Sequence, residues 1–170
     1  MIRTLYCGIC HSDIHQARSD WREETYPIVP GHEIVGEVVQ VGSGVTRFKV
    51  GDIAGVGCMV NACRHCEYCE NDQEQYCMEG RVLTYSDKDL YHDNEITRGG
   101  YSTNMVVDES FAIRVPKDAP LEKVGPLMCA GITTWSPIMQ CGIKAGDKVG
   151  VAGFGGLGHM AVQYLVSLGA

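Results

Sequence analysis

The sequence predicts a mixed fold. An irregular, β-rich unit runs to about residue 115, and a strand–turn–helix unit of α/β type begins near residue 146. Three observations predict it. Short apolar runs broken by glycine, such as Ile34 to Val41 and Val50 to Val56, read as brief strands. Four cysteines crowd into residues 63–77, where large aliphatic residues are few. An apolar segment, Lys148 to Ala152, leads into a glycine-rich turn and then an amphipathic stretch.

The elements follow in order. Residues 1–10 are β-prone through Ile2, Leu5, Tyr6 and Ile9 and end in a turn. Ile34 to Val41 alternates with Gly36, Glu37 and Gln40, as a half-buried strand does. Gly42-Ser43-Gly44 is a turn. The cysteine loop precedes a polar stretch, Thr84 to Arg98, expected to be an exposed loop closed by Gly99-Gly100. Tyr101 to Val107 and Phe111 to Val115 are expected strands, with Pro116 at the exit. Leu121 to Met139 is expected as two helical pieces, divided or kinked around Pro126 and Pro137. Gly156 to Leu168 places Leu157, Met160, Ala161, Tyr164, Leu165 and Leu168 on one helical face.

Composition excludes several classes of function. The chain has 170 residues, 45% of them hydrophobic, and a formal net charge of −7. An acidic chain without a basic run does not suit nucleic acid or an anionic membrane. No apolar stretch approaches the roughly 20 residues that span a bilayer. The start, Met1-Ile2-Arg3-Thr4, is not a signal peptide, so the expected compartment is the cytoplasm.

The nine cysteines carry the chemistry. Cys63, Cys66, Cys69 and Cys77 follow C-x2-C-x2-C-x7-C, the spacing at which a tight loop offers four sulfurs to one tetrahedral Zn²⁺. A closed four-sulfur shell is structural, and an iron–sulfur cluster is the alternative. Polar neighbours Arg64, His65, Glu67 and Glu70 speak against four unrelated core thiols. A second constellation is Cys10, His32 and Cys129, two sulfurs and an imidazole that suit a catalytic zinc with one open position. Taken singly, Cys129 also reads as a core cysteine and His32 as a satisfied loop histidine. Gly153-Phe154-Gly155-Gly156-Leu157-Gly158 fits G-x-G-x-x-G between a strand and a helix, the context of a dinucleotide fingerprint. Backbone amides at the helix start would receive the pyrophosphate. The acidic residue that selects NAD would come about 20 residues later, so NAD and NADP both stay open.

In family order, Cys7-Gly8-Ile9-Cys10-His11-Ser12-Asp13, Gly31-His32-Glu33, the four-cysteine loop, Leu127-Met128-Cys129-Ala130-Gly131-Ile132-Thr133 and the glycine-rich turn resemble the zinc-dependent medium-chain alcohol dehydrogenases. Within them the resemblance is to the cinnamyl-alcohol-dehydrogenase-like aldehyde reductases. It implies a β-rich GroES-like catalytic domain over residues 1–145, N-terminally truncated and including a connecting helical segment at 121–145. The start of a Rossmann α/β nucleotide-binding domain over 146–170, C-terminally truncated, would follow. It further implies Cys10, His32 and Cys129 as catalytic zinc ligands, with Glu33 as a transient ligand. Asp13 would orient His32, Ser12 would hydrogen-bond the substrate oxygen, and His15 would end a proton relay. His11 would lie near the cofactor pyrophosphate, and Thr133 near the nicotinamide. The turn residues Gly153, Gly155, Gly156, Leu157 and Gly158 would hold the cofactor. Trp21 would line the substrate pocket, although Trp21 and Trp135 also read as core aromatics.

The implied protein is an oxidoreductase with two zinc ions per subunit and NADP or NAD, with NADP favoured by the branch. It would interconvert small primary alcohols and aldehydes, mainly as an aldehyde reductase, and the complete protein would be a homo-oligomer. The chain itself reads as a fragment that binds zinc but turns over little aldehyde. A zinc-stapled module without catalysis is the competing reading. A zinc-free quinone-reductase-like relative is disfavoured by the cysteine loop and by Cys10 and His32. Cys7, Cys58 and Cys141 are left as ordinary thiols.

Overall fold

The computed structural model describes residues 1–170. Its first half contains β1 (Ile2–Cys7), α1 (His11–Ala17), β2 (Ile34–Val38), β3 (Ile53–Val56), β4 (Met59–Asn61) and α2 (Glu67–Glu70). Then come β5 (Val82–Leu83), β6 (Lys88–Asp89), β7 (Glu95–Ile96), β8 (Asn104–Met105) and β9 (Ala112–Val115). Three helices close the chain: α3 (Leu121–Val124), α4 (Ala130–Gln140) and α5 (Gly156–Leu168).

Five strands form one antiparallel sheet in the order β8-β1-β2-β3-β9. Register pairs Ile2 with Val38 and Cys7 with Ile34, with an irregularity between Thr4 and Tyr6. The two-residue period of β2 sends Ile34 and Val38 into a cluster with Ile2, Phe48, Ala54, Val56, Met105 and Ala112. Val35 points to the opposite face and packs with Val115, Val124 and Met128. Both faces of β2 are therefore covered, and Ile34, Val35 and Val56 are wholly buried. The residues just before β2 inherit that rigidity, and they are His32 and Glu33.

Several expectations are corrected. The seven-residue helix α1 has no apolar stripe to announce it, because the side chains it buries are Asp13 and Gln16. Tyr101 to Val107 pairs only at Asn104–Met105, opposite Ile2 and Arg3. Thr84 to Arg98 is not a simple exposed loop. Thr84, Tyr85 and Ser86 are buried, and β6 pairs with β7 in a hairpin. Of the two prolines in the expected helical region, only Pro126 divides it, within a 3₁₀ turn at Gly125–Met128. Pro137 lies inside α4. Lys148 to Ala152 is not a strand, since no neighbouring backbone supplies the ladder a strand requires.

Helix α5 spans the expected residues and ends on Gly169 in the left-handed conformation, φ 82°. It packs on α4 through Leu165 and through an edge contact of the Trp135 and Tyr164 rings, whose centroids lie 5.3 Å apart. Trp135 is thus a packing residue. Leu157, placed on the apolar face by periodicity, is exposed because nothing covers that end of the helix. No helix is long and apolar enough to cross a membrane.

Candidate metal centres and cofactor turn

The first centre is the cysteine loop. One sulfur each from Cys63, Cys66, Cys69 and Cys77 lies within 4.8 Å of all the others. The loop is shaped by its own backbone: the Cys66 N–H points at the Cys63 sulfur at 3.3 Å, and the Cys63 N–H at the Cys77 sulfur at 3.5 Å. Arg64 sits at φ 66°, a left-handed residue that turns the chain between the first two cysteines. Desolvation pushes the Cys69 thiol up to about 12. At Cys77 desolvation is outweighed by donors from the Cys63 and Glu79 backbone, which bring its thiol down to about 6. Four sulfurs this close on one loop fit a metal that takes them as thiolates. His65 and Glu79, 2.7 Å apart, flank the loop.

The second centre draws on three distant parts of the chain. Cys10 caps the start of α1, His32 and Glu33 precede β2, and Cys129 precedes α4. One ligand atom from each of Cys10, His32, Glu33 and Cys129 lies within 4.8 Å of the rest. His32 Nε2 is 3.3 Å from Cys129 Sγ, and Nδ1 is 3.1 Å from Asp13 Oδ1. Burial opposes a charged His32, yet Asp13 and Cys129 together lift its pKa to about 11. Asp13 is desolvated too. Donors from His32, Cys10 and Tyr85 overcome that and hold its carboxyl well below the usual range. Burial raises the Glu33 carboxyl, partly offset by His32. Two sulfurs, an imidazole and an adjacent carboxylate, all converging and otherwise costly to bury, fit a zinc ion.

The remaining expected residues fall into three groups. Ser12 and His15 lie three residues apart on α1, one turn of neighbours on its surface. His15 Nδ1 is 2.8 Å from Asp20 Oδ2, and its ring stacks between His11 and Trp21 at centroid distances of 5.1 and 5.2 Å. Trp21 is 60% exposed, so it is not a core aromatic. Thr133 is exposed on α4, one turn beyond Cys129. Of the turn residues around the start of α5, Gly153, Gly155, Gly156 and Leu157 are exposed and Gly158 is half-buried. Gly153 adopts φ 85°, and a Cβ on Gly158 would strike the Gly153 carbonyl, so the tight turn needs glycine at both ends. Helix α4 links the sites: Cys129 caps it, and its flank packs on α5.

Three residues beside the second centre escaped the sequence reading. The Cys58 thiol lies beside Cys129 and raises its pKa, so it is not a detached thiol. Tyr101 donates to Asp13 Oδ2 at 3.0 Å, and Tyr85 hydrogen-bonds the same carboxylate. The double glycine before Tyr101 was the available signal. A cavity of about 970 Å³ lies elsewhere, lined by Val38, Phe48 and Met105 among others. Of the residues proposed for the sites it touches Cys63 alone.

The comparisons agree on one family. The model of the alcohol dehydrogenase GroES-like domain matches residues 1–117. A probable mannitol dehydrogenase of Fragaria ananassa is 54% identical over 168 residues, covering 98% of this chain and 46% of that protein. Cinnamyl alcohol dehydrogenase 2 of Rauvolfia serpentina is 54% identical over 169 residues, with 99% and 46% covered. A solved cinnamyl alcohol dehydrogenase from Helicobacter pylori, complexed with NADP(H), superposes with a TM-score of 0.94 at 58% identity, covering 99% of this chain and 48% of that one. The chain spans about half the length of the curated relatives it matches. With that match over residues 1–117 and the sheet and clusters described above, the chain belongs to the alcohol dehydrogenases with a GroES-like domain.

Proposed function

We propose that this chain carries the metal-binding catalytic part of a zinc-dependent oxidoreductase. It would interconvert primary alcohols and aldehydes with a nicotinamide cofactor, mainly in the direction of aldehyde reduction. The observation that carries the reading is the convergence of Cys10, His32, Glu33 and Cys129 within 4.8 Å, backed by Asp13. Cys10, His32 and Cys129 would hold the ion, a three-ligand set of the kind that catalytic zinc sites use. A bound zinc supplies Lewis acidity to a substrate oxygen. Glu33, whose carboxyl is raised by burial, would stand beside the ion as an exchangeable ligand. Ser12 orients the substrate oxygen through its hydroxyl, and His15, held by Asp20, passes the proton toward solvent. Trp21 offers an exposed apolar wall for the substrate.

The glycine turn at 153–158 receives the cofactor pyrophosphate on backbone amides, with His11 and Thr133 along its path. The relative solved with NADP(H) supports NADP as cofactor, with NAD the alternative. Residues 1–145 form the catalytic unit in this reading, and residues 146–170 begin the nucleotide-binding one. The four-sulfur loop holds a second, structural zinc.

Metal content tests the reading. The purified chain is expected to bind two zinc ions, and Cys10→Ser or His32→Ala to retain one. A wild-type content of one ion, unchanged by these substitutions, would sink it.

A further inference from the structure

Asp13 is hydrogen-bonded to saturation. Oδ1 accepts from the Gly31 N–H at 3.0 Å and faces His32 Nδ1 at 3.1 Å. Oδ2 accepts from the Cys10 N–H at 2.9 Å and the Tyr101 hydroxyl at 3.0 Å. A carboxylate has about four lone-pair positions, which these four contacts fill, and the Tyr85 hydroxyl is a fifth neighbour of the same group. The Tyr85 ring is buried, with its centroid 5.8 Å from that of His32. The Tyr101 hydroxyl also lies 3.2 Å from the Gly8 carbonyl. It has one proton, and the shorter, charge-assisted bond to Asp13 takes it.

The chain is built to deliver Tyr101 there. Gly99, Gly100 and Tyr101 donate in turn to the carbonyls of Val29, Gly31 and Pro30, at 2.6, 2.8 and 3.0 Å. A Cβ on Gly99 would strike the Pro30 and Gly31 carbonyls, and one on Gly100 the Ile34 side chain. Glycine at both positions therefore lets this segment lie flat against the residues that lead into His32. Burial and the Asp13 charge hold both tyrosines above the usual phenol range, which keeps them donors.

We propose that Tyr101 and Tyr85 are positioning residues for the metal site. By clamping Asp13 they fix the His32 ring, with Nδ1 bound and Nε2 turned toward the cluster of Cys10 and Cys129. Without the clamp the carboxylate rotates, and the imidazole loses the orientation on which its ligand geometry depends. The proposal rests on the reading of Cys10, His32 and Cys129 as a metal site.

The test compares the full chain with Tyr101→Phe, Tyr85→Phe and the double variant, all of which keep the ring. Zinc affinity is measured by competition with a chromophoric chelator, and the cobalt-loaded proteins are compared by visible absorption. The four-sulfur site, whose thiols neither hydroxyl contacts, serves as internal reference. Tyr101→Phe is expected to weaken the Cys10/His32/Cys129 site about tenfold. The double variant should weaken it further, with an altered cobalt spectrum and an unchanged four-sulfur site. Wild-type affinity and spectrum in the double variant overturn the proposal, as does a lowered melting temperature with both unchanged, which assigns the tyrosines to folding alone. Failure of the wild type to bind a second ion would instead overturn the underlying metal-site reading, and this proposal with it.

Discussion

His32 and Asp13 meet behind the second cluster with Nδ1 3.1 Å from Oδ1, and their side chains are only 6% and 3% exposed. This pair ties helix α1 to the residues entering β2, and it decides which imidazole nitrogen faces the sulfurs. In Asp13→Asn one acceptor oxygen becomes an amide donor facing the existing donors Cys10 N–H and Tyr101 OH or Gly31 N–H. A buried donor left without an acceptor costs about 1–3 kcal/mol. Zinc affinity of this site is expected to fall about 10- to 100-fold, read by chelator competition.

The four-sulfur loop should behave as an independent staple. Residues 63–77 contain only α2 and a 3₁₀ turn at Glu74–Tyr76, and of the four cysteines only Cys69 is buried. Cys69→Ser is expected to release one zinc ion and open the loop to protease between Cys63 and Cys77. The ion at Cys10, His32 and Cys129 should stay. Equal protease resistance in variant and wild type would count against a metal staple.

Acid stability should register Asp52. Its side chain is 7% exposed and lies 3.0 Å from Arg114 and 3.9 Å from Lys117. The Lys49 N–H donates to it at 3.1 Å. The Lys49 backbone bond first, and then Arg114, hold its carboxyl below the ordinary range. A carboxyl lowered by folding stabilises the native state above its unfolded value, and that contribution disappears as pH falls through the folded value. Asp52→Asn should therefore be less stable than wild type at neutral pH, and urea unfolding should show the gap closing on acidification. A gap that widens at low pH contradicts this assignment.

Trp21 separates a pocket wall from a core residue. Being 60% exposed, it should tolerate Trp21→Ala with a stability change within about 0.5 kcal/mol. If the proposed aldehyde reduction is assayed, the same substitution should raise KM for the aldehyde. A loss of several kcal/mol in chemical denaturation would show that the ring is structural instead.

Much was legible where the signal is local. The spacing of Cys63, Cys66, Cys69 and Cys77 brings sulfurs together on one loop, because few backbone conformations join them. Residues 156–168 form a helix because the apolar period and the terminal Gly169 agree over a short span. The two-residue period of Ile34 to Val38 places its side chains on opposite faces of a strand. In the same way the four-sulfur ligand set and the glycine turn need no tertiary context to be noticed.

Tertiary structure decided everything that depends on distant segments meeting. Lys148 to Ala152 has the composition of a strand but forms none, since a strand exists only through a partner's hydrogen bonds. Helix α1 forms without an apolar stripe because its inward face is polar and satisfied by Gly31, His32 and Tyr101. Cys10, His32 and Cys129 converge only through the pairing of β1 with β2 and the packing of the turn before α4. The tyrosines on Asp13 were invisible for the same reason: a hydrogen bond across 88 residues leaves no period in the sequence, only the paired glycines that make room for it.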